Sequence, residues 1–395
     1  MKYVYLDYNA TAPLLKEVKA TMLSVLDMPY NSSSVHNIGR RAKSMIEVAR
    51  SNILTAIGAP YDQYQLIFTS SGTEANNLVI HNFADSHLFV SAIEHASILK
   101  SALDKPNVTI IKVCNNGLLN LEELELELVK SKASTKLVSV MSANNETGVI
   151  QNIQEITKIA HKYNALVHTD AVQAFGKIDI NVRVLNVDLI TISTHKCGGP
   201  LGVAALIYRK SIALQPQIIG GGQERGIRSG TENISAIVGF GKIAELIGHI
   251  LSQYVQVYKL RNLLEESIML LVPEVKIFSR NVLRLPNTTC LTMPFIHHET
   301  QLINFDLAGF AVSAGAACSS GKIETSTVLR AMGVDQNTAN TAIRLSLGAN
   351  NTLNEINKFI TTWQLMYNRL AVNFSSQDRA LHKDFGQIQS NNYVY

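Results

Sequence analysis

The stretch VDLITISTHKCGGPLGVAALIYR, residues 187–209, decides the fold. Its hydrophobic run at 187–192 predicts a buried strand, which a polar run ending in Lys196 follows. A glycine-rich turn then leads to a second strand at 204–208. Functional groups on parallel sheets gather at the carboxyl ends of strands, and a desolvated lysine there can form an imine with an aldehyde cofactor. The alternative for an isolated lysine is an ordinary surface position.

Similar strand patterns recur upstream, separated by helical patterns. Further buried strands are predicted at 65–69, 88–92, 108–113, 137–142 and 165–169. Helical spacing of apolar residues appears between them, as at 42–57 and at 121–129. This alternation predicts an α/β protein with a mainly parallel, seven-stranded sheet between helices.

The rhythm changes after the glycine-rich loop at 220–230. One long helical pattern covers 234–271, and the remainder mixes short strands with helices. The predicted strands lie at 275–279, 288–293 and 342–347, and the predicted helices at 299–307, 325–332 and 352–370. We therefore predict a large domain over residues 16–255 and a smaller α+β domain formed by residues 1–15 and 256–395.

Composition restricts the class of protein. The chain is 46% hydrophobic and only 17% charged, which favours a well-packed globular protein over long disorder. Its net charge of +4 comes without a long basic run, so we expect no direct binding of nucleic acid.

The N-terminus and the cysteines bear on location. Asp7 and Asn9 interrupt the apolar stretch that a secretory signal needs, and no run approaches the roughly 18 apolar residues of a spanning helix. Four cysteines are widely separated without a CxxC pair: Cys114, Cys197, Cys290 and Cys318. We predict no disulfide framework and no metal site, and we expect a soluble cytoplasmic protein with free thiols.

A carboxylate occupies a second strand end. The stretch ALVHTDAVQ reads as a buried strand that ends at Thr169, with Asp170 directly after it. A carboxylate at this edge can pair with a protonated pyridine nitrogen and make the ring a better electron sink. The alternative for Asp170 is a helix cap or a turn residue.

A candidate phosphate site lies in FTSSGTEANNLVI, where a strand runs through Ser-Ser-Gly-Thr into a helix. The amides of Gly72 and Thr73 and the Thr73 hydroxyl would face an anion at the helix N-terminus. Ser193 and His195 could supply further donors to the same phosphate. Plain N-capping explains Thr73 equally well.

Eight strings occur in order along the chain: FTSSGTEANN, SAIEHASIL, NNETGVIQ, HTDAVQAFGKI, THKCGGPLGV, GGGQERGIRSGT, SAGAACSSG and IRLSLG. Together they closely resemble the cysteine desulfurases, fold-type I pyridoxal phosphate enzymes of the class V aminotransferase superfamily. The resemblance extends from YLDYNATAP to about residue 350, and RSGT with the cysteine loop resembles the group I branch that serves iron–sulfur cluster assembly. One departure is a missing proline, since Asn31 is followed by three serines where the family usually has Asn-Pro-Ser-Ser.

The resemblance implies roles around the cofactor. Lys196 would be the Schiff-base lysine, and Asp170 would bind the pyridine nitrogen. Asn145 and Gln173 would bind the phenolic oxygen of the cofactor. His95 would stack on the ring and shuttle a proton for the substrate thiol, although a lone histidine after a strand is more often structural.

The resemblance also implies which residues bind the cofactor phosphate and the substrate. Thr73, Ser193 and His195 would hold the phosphate, together with Thr231 of the neighbouring subunit in a homodimer. Arg344 would grip the substrate carboxylate; its alternative role is a simple ion pair.

Cys318 lies in AGAACSSGKIETS, a run of small residues more typical of a loop than of a packed core. The resemblance makes Cys318 the sulfur-accepting nucleophile. The implied reaction converts L-cysteine to L-alanine and leaves a persulfide on Cys318, for transfer to an acceptor such as an iron–sulfur scaffold or a tRNA-thiolation relay. The rival enzymes are a selenocysteine lyase and a class V aminotransferase, and the rival of another class is a non-catalytic assembly scaffold.

Overall fold

The computed structural model describes residues 3–315 and 325–371, so Cys318 and the tail after residue 371 lie outside the described residues. The strands are β1 Val4–Tyr5, β2 Tyr64–Thr69, β3 His87–Ser91, β4 Val108–Ile111, β5 Lys136–Ser139, β6 Leu166–Asp170, β7 Leu189–Ser193, β8 Ala204–Arg209, β9 Thr288–Thr292, β10 Phe310–Ala311, β11 Ser313–Ala314 and β12 Ala342–Ser346. The helices are α1 Lys16–Leu23, α2 Asn37–Ala56, α3 Gly72–Asn82, α4 Ala96–Leu103, α5 Leu121–Lys130, α6 Ile153–Lys162, α7 Val182–Leu185, α8 Ile234–Glu245, α9 Ile247–Leu271, α10 His298–Leu307, α11 Thr327–Ala331, α12 Gln336–Ala339 and α13 Leu353–Ala371.

The central sheet has seven strands in the order β2-β8-β7-β6-β5-β3-β4. Neighbouring strands from β7 to β4 run parallel, and β8 is antiparallel to both β7 and β2. The predicted mainly parallel, seven-stranded sheet of an α/β fold is therefore confirmed. Its parallel strands end at the same edge, which brings the residues after β6 and β7 together.

Helices cover both faces of this sheet, which explains why its central strands are apolar throughout. All five residues of β7 are buried. On one face α2 packs closely against α8, since a Cβ on Gly241 would lie 2.7 Å from the Cβ of Ala49. The core of the sheet is continuous with the interior beneath α9 and α13.

The C-terminal part contains a second sheet of three antiparallel strands in the order β11-β12-β9. The N-terminal arm joins this part of the chain, because β1 pairs with β10 and Asp7 bridges to Ser346. The arm also reaches the large sheet, where the Ala12 amide donates to the carbonyl of His195 at 2.7 Å. The arm thus links the two sheets.

Two predicted elements differ from the structure. The segment 275–279 is not a strand and makes one isolated bridge, between Ile277 and Leu291, because the backbone turns at Ser279 with a φ of 59°. The predicted long helix at 234–271 is two helices, α8 and α9, which meet at Leu246 with a bend of 65°. Both helices keep an apolar face, so the hydrophobic pattern continues through the bend and does not reveal it.

The division into domains at residue 255 stays a prediction, and that residue lies inside α9. Among the described helices, none is long and apolar enough to cross a membrane by itself. The bent pair α8 and α9 meets that criterion only when the two are taken together, and both contribute many residues to the core.

Candidate active site

A cavity of about 360 Å³ lies at the carboxyl edge of the central sheet. Ten of the residues predicted from the sequence line it: Gly72, Thr73, His95, Asn145, Asp170, Gln173, Ser193, His195, Lys196 and Arg344. Two predicted residues are not part of this lining, since Thr231 lies elsewhere on the surface and Cys318 is outside the described residues. The structure therefore gathers the cofactor and substrate residues of the prediction around one space, while their individual roles stay predictions.

Lys196 follows β7 in a tight turn. The turn needs glycine, because a Cβ on Gly199 would lie only 1.3 Å from the Thr194 hydroxyl oxygen and Gly198 has a φ of +94°. The Lys196 Nζ donates to the main-chain carbonyls of Asn9 at 2.7 Å and Ala10 at 3.2 Å. These two acceptors hold the amine at the wall of the cavity.

Asp170 ends β6 and is held by two donors. Its Oδ1 accepts from the Val172 amide at 2.9 Å, and its Oδ2 accepts from the Asn76 Nδ2 at 2.8 Å. Asp170 is only 6% exposed, so its orientation is fixed by these bonds. The turn interpretation is thus partly right, since Asp170 bonds the amide two residues on, but its second oxygen is directed to α3.

A hydrogen-bonded chain joins Asp170 to His95. Asn76 also donates to the Ser97 hydroxyl at 2.9 Å, and that hydroxyl lies 2.8 Å from the Nδ1 of His95. The same Nδ1 accepts from the Ser97 amide, so it caps α4 and the neutral ring carries its hydrogen on Nε2. Asn76 and Ser97 were not predicted from the sequence, although Asn76 lies one helical turn after Thr73 and so shares its face of α3.

Burial sets the charge of the groups next to the cavity. Burial raises the pKa of Glu94 well above its usual range, and the charge of Asp170 acts in the same direction. Burial also lowers the pKa of His195 to about 4, with Lys196 and then Lys177 adding to the effect, so this imidazole is neutral at pH 7. Glu94 is not part of the cavity lining, whereas the carboxyl groups of Asp170 and Asp7 are.

The N-terminus of α3 provides the anion-binding end. Ser71, rather than Thr73, caps this helix by accepting from the Glu74 amide at 3.2 Å. The capping alternative for Thr73 is therefore wrong, and the Thr73 side chain lies in the first turn at the cavity wall. The amides at the start of α3 and the helix dipole favour a negative charge there.

Asn9 is a buried residue whose hydrogen bonds join several residues of the site, and it was not predicted from the sequence. Its carbonyl accepts from Lys196 and from the Gln173 Nε2, the latter at 3.0 Å. Its Nδ2 donates to the Asn145 carbonyl at 3.1 Å, and its Oδ1 accepts from the Lys177 Nζ at 2.7 Å. Asn9 therefore connects the lysine at the end of β7 to the loop that carries Asn145.

Arg344 lies on β12 at the opposite side of the cavity. One terminal nitrogen donates to the Asp7 carboxylate at 2.6 Å, and the other donates to the Asn145 carbonyl at 3.1 Å. Its Nε is buried and has no hydrogen-bond partner among the described residues. The ion-pair alternative is thus correct as far as Asp7 goes, and the guanidinium keeps further N–H donors for an anion.

Comparisons with known proteins agree with this geometry. The family model described as aminotransferase class-V matches residues 4–359. This chain belongs to the class-V aminotransferase family and, within it, to the cysteine desulfurases. It is 40% identical to a "Cysteine desulfurase IscS" of Dictyoglomus turgidum, over 90% of this chain and 92% of that protein. It is 41% identical to a "Cysteine desulfurase" of Cereibacter sphaeroides, over 91% and 94%.

A solved structure has a closely similar fold. The "NifS-like protein from Rickettsia africae ESF-5" superposes with a TM-score of 0.88 at 45% identity, covering 93% of this chain and 99% of that one. The predicted fold type I is therefore confirmed. Members of this family are pyridoxal phosphate enzymes.

The residues of this class-V pocket fit that cofactor. The cofactor combines a ring nitrogen that gains from a carboxylate, an aldehyde that needs an amine and a phosphate that needs donors. Around one cavity, Asp170 supplies the carboxylate, Lys196 supplies the amine, and the start of α3 supplies the donors for the phosphate. Arg344 lines the same cavity, and each of its terminal nitrogens has a second N–H group that can serve a carboxylate.

Two of the other cysteines, Cys197 and Cys290, are buried thiols that are unreactive as nucleophiles. Burial raises the pKa of Cys197 to about 12, and its thiol donates to the Thr194 carbonyl at 3.2 Å. Burial likewise raises the pKa of Cys290. Cys114 is exposed but does not line the cavity. None of these three has both an accessible thiol and a place in the pocket.

The loop that carries Thr231 in this class-V chain is anchored by an ion pair. Glu224 is buried, accepts from both terminal nitrogens of Arg50 at 2.9 and 3.0 Å, and accepts from the Phe68 amide at 2.8 Å. Arg228 in the same loop pairs with Glu74 at 2.8 Å, directly after the start of α3. The loop is thus fixed to the anion-binding end, and Thr231 beyond it is exposed.

Proposed function

We propose that the protein is a cysteine desulfurase that holds pyridoxal phosphate in the described cavity and passes sulfur from L-cysteine to Cys318. One observation carries the proposal. A lysine, a carboxylate, a helix N-terminus and an arginine surround one cavity in a chain about two fifths identical to curated cysteine desulfurases.

Pyridoxal phosphate, when bound, supplies an electron sink for the negative charge that forms when the Cα proton of an amino acid leaves. Lys196 would hold its aldehyde carbon, and Asp170 would hold its ring nitrogen in the protonated state. The hydrogen bonds from the Val172 amide and the Asn76 side chain hold the Asp170 carboxylate in this orientation. The first turn of α3, with Ser193 and His195, would bind the phosphate.

Arg344 positions the substrate by its carboxylate. Its two terminal nitrogens are fixed by Asp7 and by the Asn145 carbonyl, so the planar group is held before the substrate arrives. Lys196 is the amine that moves the proton at Cα, because its Nζ is held by the Asn9 and Ala10 carbonyls at the cavity wall. His95, with its hydrogen on Nε2, is the candidate to exchange a proton with the substrate thiol.

The overall step balances without an external oxidant. L-Cysteine and the Cys318 thiol give L-alanine and the Cys318 persulfide. The carbon–sulfur bond of the substrate breaks, a sulfur–sulfur bond forms on Cys318, and a carbon–hydrogen bond replaces the one that broke. The carbon is reduced and the sulfur is oxidised, so the electrons remain within the pair.

The remaining parts of the proposal concern partners and location. Thr231 is exposed and away from its own cavity, which suits a residue that reaches the phosphate of a neighbouring subunit in a homodimer. The acceptor of the sulfur would be a protein such as an iron–sulfur scaffold. The two buried thiols, Cys197 and Cys290, form no disulfide, which suits a cytoplasmic protein.

The test is an assay of the purified, pyridoxal phosphate-loaded protein with L-cysteine. We expect L-alanine and sulfide in equal amounts in the presence of a thiol reductant. Bound cofactor without release of alanine would overturn the proposal and would favour the alternative of a non-catalytic assembly scaffold. Keto-acid product would indicate an aminotransferase, and turnover of L-selenocysteine alone would indicate a selenocysteine lyase.

Replacing Cys318 with Ala separates the two halves of the reaction. The Cys318→Ala variant should keep the absorption band of the bound cofactor and lose persulfide transfer. Cys114→Ala is the matched control, since Cys114 is an exposed thiol outside the cavity. Persulfide transfer that survives Cys318→Ala would remove Cys318 from the mechanism.

A further inference from the structure

Lys177 is a buried lysine to which the proposed function gives no role. It is only 2% exposed and is not among the residues that line the cavity. Placing an amine in such a position is costly, and a methionine would fill a similar volume without that cost. Its presence therefore requires an explanation from its contacts.

Its two hydrogen bonds both go to side-chain amides of the site. The Lys177 Nζ donates to the Gln173 Oε1 at 2.6 Å and to the Asn9 Oδ1 at 2.7 Å. A lysine only donates, so each amide must turn its oxygen towards Lys177 and its nitrogen away. An amide without such a partner has nearly equal shape in both orientations.

The electrostatic surroundings make this position costly for the charged form of Lys177. Burial lowers the pKa of Lys177 well below its usual range, and nearby Lys196 and Arg344 act in the same direction. The two amide oxygens offset part of this cost, because each accepts a hydrogen bond from the Lys177 Nζ.

The consequence for Gln173 is a defined donor at the cavity. Gln173 lines the cavity, and its Nε2 donates one hydrogen to the Asn9 carbonyl at 3.0 Å. The amide nitrogen has a second hydrogen, which can serve an acceptor in the cavity. A reversed amide would present an oxygen both to the Asn9 carbonyl and to the phenolic oxygen of the cofactor.

We infer that Lys177 is a positioning residue, which fixes the Gln173 amide so that its nitrogen, and not its oxygen, meets the phenolic oxygen of pyridoxal phosphate. The inference rests on the proposed function, because it takes pyridoxal phosphate as the ligand. Lys177 would act through Gln173 and would not touch the cofactor.

The test is a double-mutant cycle between Lys177→Met and Gln173→Met. Titration of the cofactor-free proteins with pyridoxal phosphate gives the dissociation constant, and the absorption band of the bound cofactor gives a spectroscopic signature. We expect each single variant to weaken binding about tenfold, the effect of one lost buried hydrogen bond. The double variant should bind as Gln173→Met does, within about twofold, because Lys177 then has no amide to orient.

Lys136→Met is the matched control. Lys136 is a partly buried lysine of β5 whose Nζ also donates to a carbonyl, that of Tyr163 at 3.2 Å, and it is not part of the cavity. It should leave the dissociation constant and the absorption band unchanged. Lys177→Met should shift the band in the same direction as Gln173→Met.

Unchanged binding in Lys177→Met, or additive losses in the double variant, would overturn the inference. If Lys177→Met does not fold while the double variant does, the orphaned Gln173 oxygen is the cause and the inference is supported. If neither folds, Lys177 serves the fold and the inference fails. A wild-type protein that binds no pyridoxal phosphate would instead contradict the proposed function, and this inference with it.

Discussion

The two walls of the cavity are built in different ways. The sheet wall consists of residues that end or follow β6 and β7: Asp170, Gln173, Ser193, His195 and Lys196. The arm wall consists of residues from four separate stretches of chain: Asp7 to Ala10, Asn145, Ser313 and Arg344. The sheet wall is local in sequence, whereas the Asp7–Arg344 ion pair of the arm wall joins residues 337 positions apart.

This difference separates two tasks. The sheet wall offers the amine and the carboxylate that a pyridine aldehyde needs, and its geometry comes from two neighbouring parallel strands. The arm wall offers the arginine for a carboxylate, and its geometry depends on the N-terminal arm closing against β12. Chemistry and substrate binding are therefore expected to respond differently to changes in the two walls.

The largest expected effect is on the sheet wall, at Lys196. The Lys196→Ala variant removes the amine that moves the Cα proton, so we expect kcat to fall about 10³-fold or more, equivalent to about 4 kcal/mol. Alanine production from L-cysteine measures the loss. Lys210→Ala, at an exposed lysine bonded to the Tyr61 carbonyl, should stay near wild type. A Lys196→Ala activity within tenfold of wild type would remove this lysine from the chemistry.

The next effect concerns stability behind the arm wall. Burial raises the pKa of Glu146 from 4.5 to about 7, where its carboxylate oxygen accepts from the Ser326 hydroxyl. The folded protein holds the Glu146 proton more tightly than the unfolded chain does. The contribution of Glu146 to the free energy of unfolding is therefore lost as pH rises from about 4.5 through about 7. The loss amounts to about 3 kcal/mol above that range.

Urea unfolding at pH 5 and pH 8 tests this, with Glu146→Gln as the comparison. The amide stays neutral and keeps an oxygen for Ser326, so the variant should lose less stability between the two pH values than the wild type. Equal pH dependence in the two proteins would show that Glu146 does not carry this titration.

A third effect returns to the sheet wall, at Asp170. Asp170→Asn removes the charge that holds the ring nitrogen protonated and places an amide nitrogen against either Asn76 or the Val172 amide, so we expect about a 10²-fold loss of kcat. The double variant Asp170→Asn with Asn76→Asp restores a hydrogen bond between the two positions but leaves the charge on the wrong one. It should not recover activity. Recovery would mean that the hydrogen bond, and not the charge at 170, is what matters.

The smallest effect is at Arg344 on the arm wall. Arg344→Lys keeps the charge but loses the planar fork, so we expect KM for L-cysteine to rise about tenfold with a smaller change in kcat. Steady-state kinetics separates the two constants. A fall in kcat without a rise in KM would place Arg344 in the chemical step. It would contradict the claim that the arm wall serves substrate binding and the sheet wall serves the chemistry.

The sequence predicted the sheet wall better than the arm wall for a physical reason. Strand and turn patterns are local, so Asp170 and Lys196 could be placed at strand ends that share an edge. Asp7 and Asn9 lie in the string YLDYNATAP, where no local pattern tells which side chain enters a site. Only the folded chain brings Asn9 to Lys196.

Other missed features depend on burial. Lys177 comes four residues after Gln173, and the sequence does not show that Lys177 is buried beside it. The bend at Leu246 was missed because buried apolar residues recur in both helices on either side of it.

The central claim is that Lys196 holds pyridoxal phosphate in this cavity, and one measurement tests it directly. Borohydride reduction of the loaded protein fixes the cofactor to the lysine that holds it, and peptide mass spectrometry then identifies that residue. We predict a pyridoxyl phosphate label on Lys196 and on no other lysine. A label on the neighbouring buried Lys177 or elsewhere, or no label on protein that retains the cofactor, would contradict this claim.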